Sequence, residues 1–185
     1  MFRSSVAALL SVLAMASVFC PRAEASRPIP AKEQTIYSSD KSHYLFLKPK
    51  DALELHGVCR GEATAFDAGS KTKLWSVPIF CTGAQIGNDG KKMVVVYPPG
   101  EEEQTALAFY LNGKLIKEYK IKDFPSQTAA HRIISSGRCW RCDDGDAKTE
   151  FSGDQSKFTI VMDDKSTAVF DTASGAMISR TGPKR

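Results

Sequence analysis

Ser39-Asp40-Lys41-Ser42-His43-Tyr44-Leu45-Phe46-Leu47 is a polar turn carrying an aspartate and running straight into an apolar segment, and the arrangement comes twice more. Asn88-Asp89-Gly90-Lys91-Lys92 precedes Met93-Val94-Val95-Val96, and Gly153-Asp154-Gln155-Ser156-Lys157 precedes Phe158-Thr159-Ile160-Val161. The aspartate has a local task, since its carboxylate can accept backbone N–H groups two or three residues on and hold the turn. The runs that follow are too apolar and too β-branched for half-exposed strands. Each is expected to be buried on both faces.

A second shared element lies downstream of each run. Thr64-Ala65-Phe66-Asp67 turns through Gly69 into Thr72-Lys73-Leu74-Trp75; Leu107-Ala108-Phe109-Tyr110 turns at Asn112-Gly113 into Lys114-Leu115-Ile116; Thr167-Ala168-Val169-Phe170-Asp171 turns through Gly175 into Ala176-Met177-Ile178. Apolar runs split by short Gly-containing loops are hairpin signals. With the short strands before each aspartate turn (35–37, 84–86, 150–151), every copy has four strands. The copies span about residues 34–78, 83–122 and 148–181, a period that points to propeller blades or related arrays. No stretch carries an amphipathic helical period over three turns. The fold class expected is all-β: three four-stranded antiparallel blade-like meanders.

Ala65-Phe66-Asp67-Ala68-Gly69 running into Lys73-Leu74-Trp75 resembles the hairpin of quinoprotein-type β-propeller repeats, and the aspartate turn before each strand is similar to that of WD40-like blades. The resemblance covers most of residues 34–181 and implies a blade fold; it implies no activity, because propellers serve both as enzymes and as docking platforms. Propellers carry about four to eight blades, and this chain supplies three. Two chains could close a six-bladed ring as a homodimer, but the arrangement expected is an open or self-packed partial propeller.

Outside the repeats, the N-terminus reads as an export signal. Arg3 supplies a positive charge, Val6 to Phe19 is apolar apart from Ser11 and Ser17, and Ala23-Glu24-Ala25 is a small-x-small cleavage pattern. Residues 1–25 are read as a signal peptide and 26–185 as one all-β domain, periplasmic or secreted. The apolar run is too short to span a hydrocarbon core of roughly 30 Å, and Phe19 before Cys20 argues against lipid attachment. Cleavage removes Arg3, Arg22 and Glu24, so the net charge of +4 becomes +3. Lys and Arg are interspersed with Asp and Glu, unlike the basic stripe of a nucleic-acid binder. No later segment has the length of a membrane span.

Losing Cys20 with the signal leaves Cys59, Cys81, Cys139 and Cys142, an even number that argues for disulfides in an oxidising compartment. Three insertions interrupt the minimal repeat: Pro49 to Gly61, Pro98 to Gln104, and Pro125 to Ala147. Strict antiparallel register about a turn near Gly69 sets Cys59 opposite about residue 79, close to Cys81, so a Cys59–Cys81 disulfide is geometrically sensible. Cys139-Trp140-Arg141-Cys142 has the spacing of thiol-disulfide exchange sites, yet no βαβ pattern underlies it, and a structural staple is the reading taken. Export weighs against thiolate zinc, and covalent haem would need a histidine where Asp143 stands. The acidic run Asp143 to Asp146 lacks the alternating ligands of a calcium loop.

His43, His56 and His131 do not assemble into a catalytic set; His43 occupies the position of Lys92 and Lys157 and reads as an exposed strand-start residue. No GxSxG, phosphate-binding glycine loop or HExxH accompanies them. No catalytic residue, metal or cofactor is assigned, and the residues supply no site for a quinone cofactor. The function expected is a non-catalytic binding module for a protein or other envelope ligand. Trp140, Arg138 and Arg141 form its candidate contact surface, aromatic and Arg side chains being favoured interface anchors. The alternative is a thiol-disulfide redox protein using Cys139 and Cys142.

Overall fold

The computed structural model describes residues 32–50, 60–81, 83–98, 100–124, 133–134, 137–138, 148–162 and 165–182. Sheet I joins β1 (Gln34–Tyr37), β2 (His43–Pro49), β3 (Gly61–Asp67) and β4 (Lys73–Val77). Sheet II joins β5 (Ala84–Ile86), β6 (Lys92–Val96), β7 (Thr105–Leu111) and β8 (Lys114–Lys120), and a single 3-10 turn (Ile121–Asp123) follows. A two-stranded ribbon of β9 (Ile133–Ile134) and β10 (Gly137–Arg138) precedes sheet III, which joins β11 (Thr149–Phe151), β12 (Lys157–Val161), β13 (Thr167–Asp171) and β14 (Met177–Thr181). Each four-stranded sheet is an antiparallel up-and-down meander in sequence order, and none closes on itself. The all-β array of three four-stranded antiparallel blade-like meanders is therefore the fold.

The aspartate turns work as the sequence implies. The Asp40 carboxylate accepts the Ser42 N–H at 3.0 Å, Asp89 those of Lys91 and Lys92 at 2.9 and 3.2 Å, and Asp154 that of Ser156 at 3.1 Å. The residue after each aspartate is left-handed: Lys41, Gly90 and Gln155 have φ of 61°, 64° and 59°. Only the middle copy needs glycine, because a Cβ on Gly90 would meet the His43 ring at 2.3 Å.

Burial of the strands after these turns departs from expectation. β6 is buried at Met93, Val94, Val95 and Val96 alike, whereas β2 and β12 alternate buried and partly exposed residues. The reason is the stacking order. One core joins Leu45, Leu47, Ala63 and Ala65 of sheet I to Met93, Val95, Ala108 and Tyr110 of sheet II. A second joins Val94, Val96, Leu107 and Phe109 on the other face of sheet II to Phe158, Ile160, Ala168 and Phe170 of sheet III. Among the described residues, sheet II is covered on both sides, and sheets I and III each on one.

The register also differs from a strict ladder. A bulge lies at the same place in every sheet, between Ala65 and Phe66, between Phe109 and Tyr110, and between Val169 and Phe170. Each extra residue adds local twist and displaces everything beyond it by one position. Ala63 consequently faces Val77, where the Phe66–Lys73 pairing carried on without the bulge would set it opposite Ser76; Cys59 itself lies outside the described residues.

Candidate interaction surface

Antiparallel order sends every second connection to the same end of the stack. The turns at 38–42, 87–91 and 152–156, and those between the third and fourth strands, lie at one end; the connections β2–β3, β6–β7 and β12–β13 and the linkers between sheets lie at the other. The two ends are built differently.

At the turn end, hydrogen bonds tie neighbouring sheets together. Ser39 Oγ donates to Asn88 Oδ1 at 2.9 Å, Ser42 Oγ to the Asn88 carbonyl at 3.0 Å, and Trp75 Nε1 to the Gly90 carbonyl at 2.7 Å. Sheet II reaches sheet III in the same manner, through Lys92 Nζ to the Gln155 carbonyl at 2.9 Å and Tyr119 Oη to the Gly175 carbonyl at 2.9 Å. His43 belongs to this seam and is not an exposed strand-start residue. Its side chain is 17% exposed, Nε2 lies 3.9 Å from Asp67 Oδ2 and Nδ1 2.8 Å from Ser42 Oγ. Ser42 Oγ is already engaged by Asp40 Oδ1 at 2.7 Å and by Asn88, so this run of Asp, Ser and His fastens one turn to the next sheet.

All three insertions emerge at the opposite end, since 49–61 joins β2 to β3, 98–104 joins β6 to β7 and 125–147 leads from sheet II to sheet III. The second is held by its own side chains: Gln104 Oε1 accepts the Glu101 N–H at 3.0 Å, and Lys122 Nζ donates to both oxygens of Glu103 at 2.9 Å, which raises the Lys122 pKa. Glu101, Glu102 and Glu103 stay exposed. Beside the first insertion an open depression of about 490 Å³ is lined by Lys48, Lys50 and Glu62 with Pro49, Val77 and Pro78. Deeper in, Cys81 is 4% exposed, with Sγ 3.6 Å from the Val96 carbonyl oxygen. Nearby, burial pushes the Tyr97 hydroxyl well above its ordinary pKa and raises that of Tyr110, and the two hydroxyls share a hydrogen bond.

Of the candidate site residues, Cys59, Cys139, Trp140, Arg141 and Cys142, with His56 and His131, lie outside the described residues. Arg138 is placed by its backbone in β10, paired with Ile133 of β9. That ribbon was not foreseen within insertion 125–147. Two adjacent β-branched residues followed by Ser135-Ser136-Gly137 are the signal that marks it. Among the described residues no group of three or more His, Cys, Asp or Glu is placed to hold a metal ion, and no helix is long and apolar enough to cross a membrane.

No protein-family model matches the chain, and no curated protein matches it in sequence. Among solved structures, the crystal structure of BamB from Moraxella catarrhalis superposes on 80% of this chain at 15% identity with a TM-score of 0.42. The chain spans about a third of that protein's length, covering 35% of it.

Proposed function

We propose that this protein is an exported, non-catalytic binding module that engages a protein or other envelope ligand through its insertion-bearing end. One observation carries the reading: every departure from the minimal meander emerges at the same end of the stack, while the other end consists of short turns fastened to one another. A rigid array that varies its chain length at one end only is the usual layout of loops positioned for recognition. Residues 1–25 serve as the signal, and Arg138, Trp140 and Arg141 supply the anchors, an Arg and aromatic set of the kind that dominates interface energetics.

Site-specific photo-crosslinkers at Glu101 and Lys41, exposed at opposite ends, test the assignment. Adducts in cells are expected from Glu101 and not from Lys41. Replacing Arg138, Trp140 and Arg141 together by alanine should abolish the Glu101 adduct. Adducts arising equally from both ends, or a triple variant indistinguishable from the parent, would overturn it.

A further inference from the structure

Corresponding positions in the three sheets show what each face is built to meet. On the face turned toward the preceding sheet, Met93, Val95 and Tyr110 of sheet II match Phe158, Ile160 and Phe170 of sheet III, and all are buried. Sheet I has Tyr44, Phe46 and Phe66 at those positions, with no sheet before it among the described residues, and they are half-buried. Tyr37 joins them, 57% exposed, and the rings form a row across three strands: Tyr37 and Tyr44 centroids are 5.6 Å apart, Tyr44 and Phe66 5.1 Å. The far end of the stack is different. The outward face of sheet III carries Thr159, Val161, Thr167, Val169, Ser179 and Thr181, where sheet I has Leu45, Leu47, Ala63, Ala65, Trp75 and Val77. A terminal repeat with a polar outer face is a cap. Sheet III is capped and sheet I is not.

A head-to-tail ring of two copies would lay the outward face of sheet I on that of sheet III, and two features oppose it. One is the hydroxyl-rich face of sheet III. The other is the left-handed residue of the third turn, which packs on the preceding sheet's fourth strand. Gly113 lies against Trp75 and Ser76, and a Cβ on Gly175 would meet Lys117 at 2.4 Å; the sheet I counterpart is Lys71, with φ of 57°. A lysine does not fit a junction as close as that of Gly175 on Lys117.

We propose instead that two copies of this chain associate face to face through the outward surface of sheet I. A twofold axis running along the strands between β2 and β3 lays Tyr44 over the partner's Phe66 and Lys48 over the partner's Glu62, since these pairs stand at equal height in the ladder. The charges are complementary, and the contact is isologous and closed. Four strands about 4.8 Å apart and about 23 Å long present roughly 400 Å² per copy, so the pair covers roughly 800 Å², the scale of a weak, reversible dimer. The resulting six-sheet stack ends in a polar sheet III on both sides, and the insertion-bearing ends stay uncovered.

Sedimentation equilibrium of the purified protein between about 1 µM and 1 mM reads the dimer as a mass that rises toward twice the monomer's. Phe46→Glu, on a half-exposed side chain outside both cores, should raise the dimer dissociation constant at least tenfold with an unchanged circular dichroism spectrum. Lys48→Glu should weaken association, and adding Glu62→Lys should restore it. Val169→Lys on sheet III should leave it unaltered. A wild-type protein that stays monomeric throughout overturns the proposal, as does loss of the dimer in Val169→Lys, which marks head-to-tail closure. Neither result bears on the crosslinking at Glu101, which reads the other surface.

Discussion

Asp154 receives the hydroxyls of Ser152 and Ser156 at 2.6 and 2.8 Å and the Ser156 N–H at 3.1 Å, and these bonds hold its carboxyl at about 2. Asp40 and Asp67 are lowered chiefly by the backbone N–H groups of Ser42 and Ser70, and Asp171 by the Ser174 hydroxyl. A carboxylate whose pKa is lower folded than unfolded contributes stability that is fully present above the unfolded value and is lost as pH falls through the folded one. Stability should therefore decline as pH falls from about 4 toward 2, read by the urea midpoint at each pH. Asp154→Ala should flatten that decline and lower the midpoint at neutral pH; an unchanged profile would show that these turns do not govern acid unfolding. The aspartates are legible in the sequence because their partners sit two or three residues away. The burial of His43 is not, because its ring packs against Gly90 of the next sheet.

Elements differ from residues in that one inserted position moves everything beyond it. The bulge between Ala65 and Phe66 moves the β3–β4 register by one position, and beyond the end of β4 Gly61 lies against Phe80, a Cβ on the glycine standing 2.6 Å from the Phe80 Cβ. Cys59 lies two residues before Gly61 and Cys81 one after Phe80, so we expect these two to be joined, leaving Cys139 with Cys142. Peptide mapping of the purified protein without reduction should recover both linked pairs; a Cys59–Cys139 link would refute the pairing. A closed loop of this length contributes about 3 kcal/mol in the chain-entropy model, so Cys59→Ser with Cys81→Ser should lower the melting temperature. The four-strand meander itself was readable from turn residues and alternating apolar runs. The bulges were not, since no residue type marks them.

At the scale of the molecule, sheet II is the element on which the stack depends. Phe109 is 1% exposed, with its ring centroid 5.3 Å from Phe170, 6.1 Å from Phe158 and 6.4 Å from Tyr119. Phe109→Ala should cost about 3–5 kcal/mol, a large part of the roughly 5–15 kcal/mol that a domain has. Phe46→Ala on the outward face of sheet I should cost far less in the monomer. Comparing urea midpoints of the two variants at low concentration checks the difference, and equal losses would mean that sheet I is covered in solution. The sequence by itself determined the repeat, the four strands of each copy, the aspartate turns and the fold class, all of which rest on interactions within a few residues along the chain. Only the tertiary structure decided which faces are covered, that the insertions share one end, and that the two outermost faces differ in polarity. Burial depends on what lies across the sheet, and Tyr44, Met93 and Phe158 occupy the same place in the repeat while, among the described residues, only two of them have a neighbouring sheet to meet.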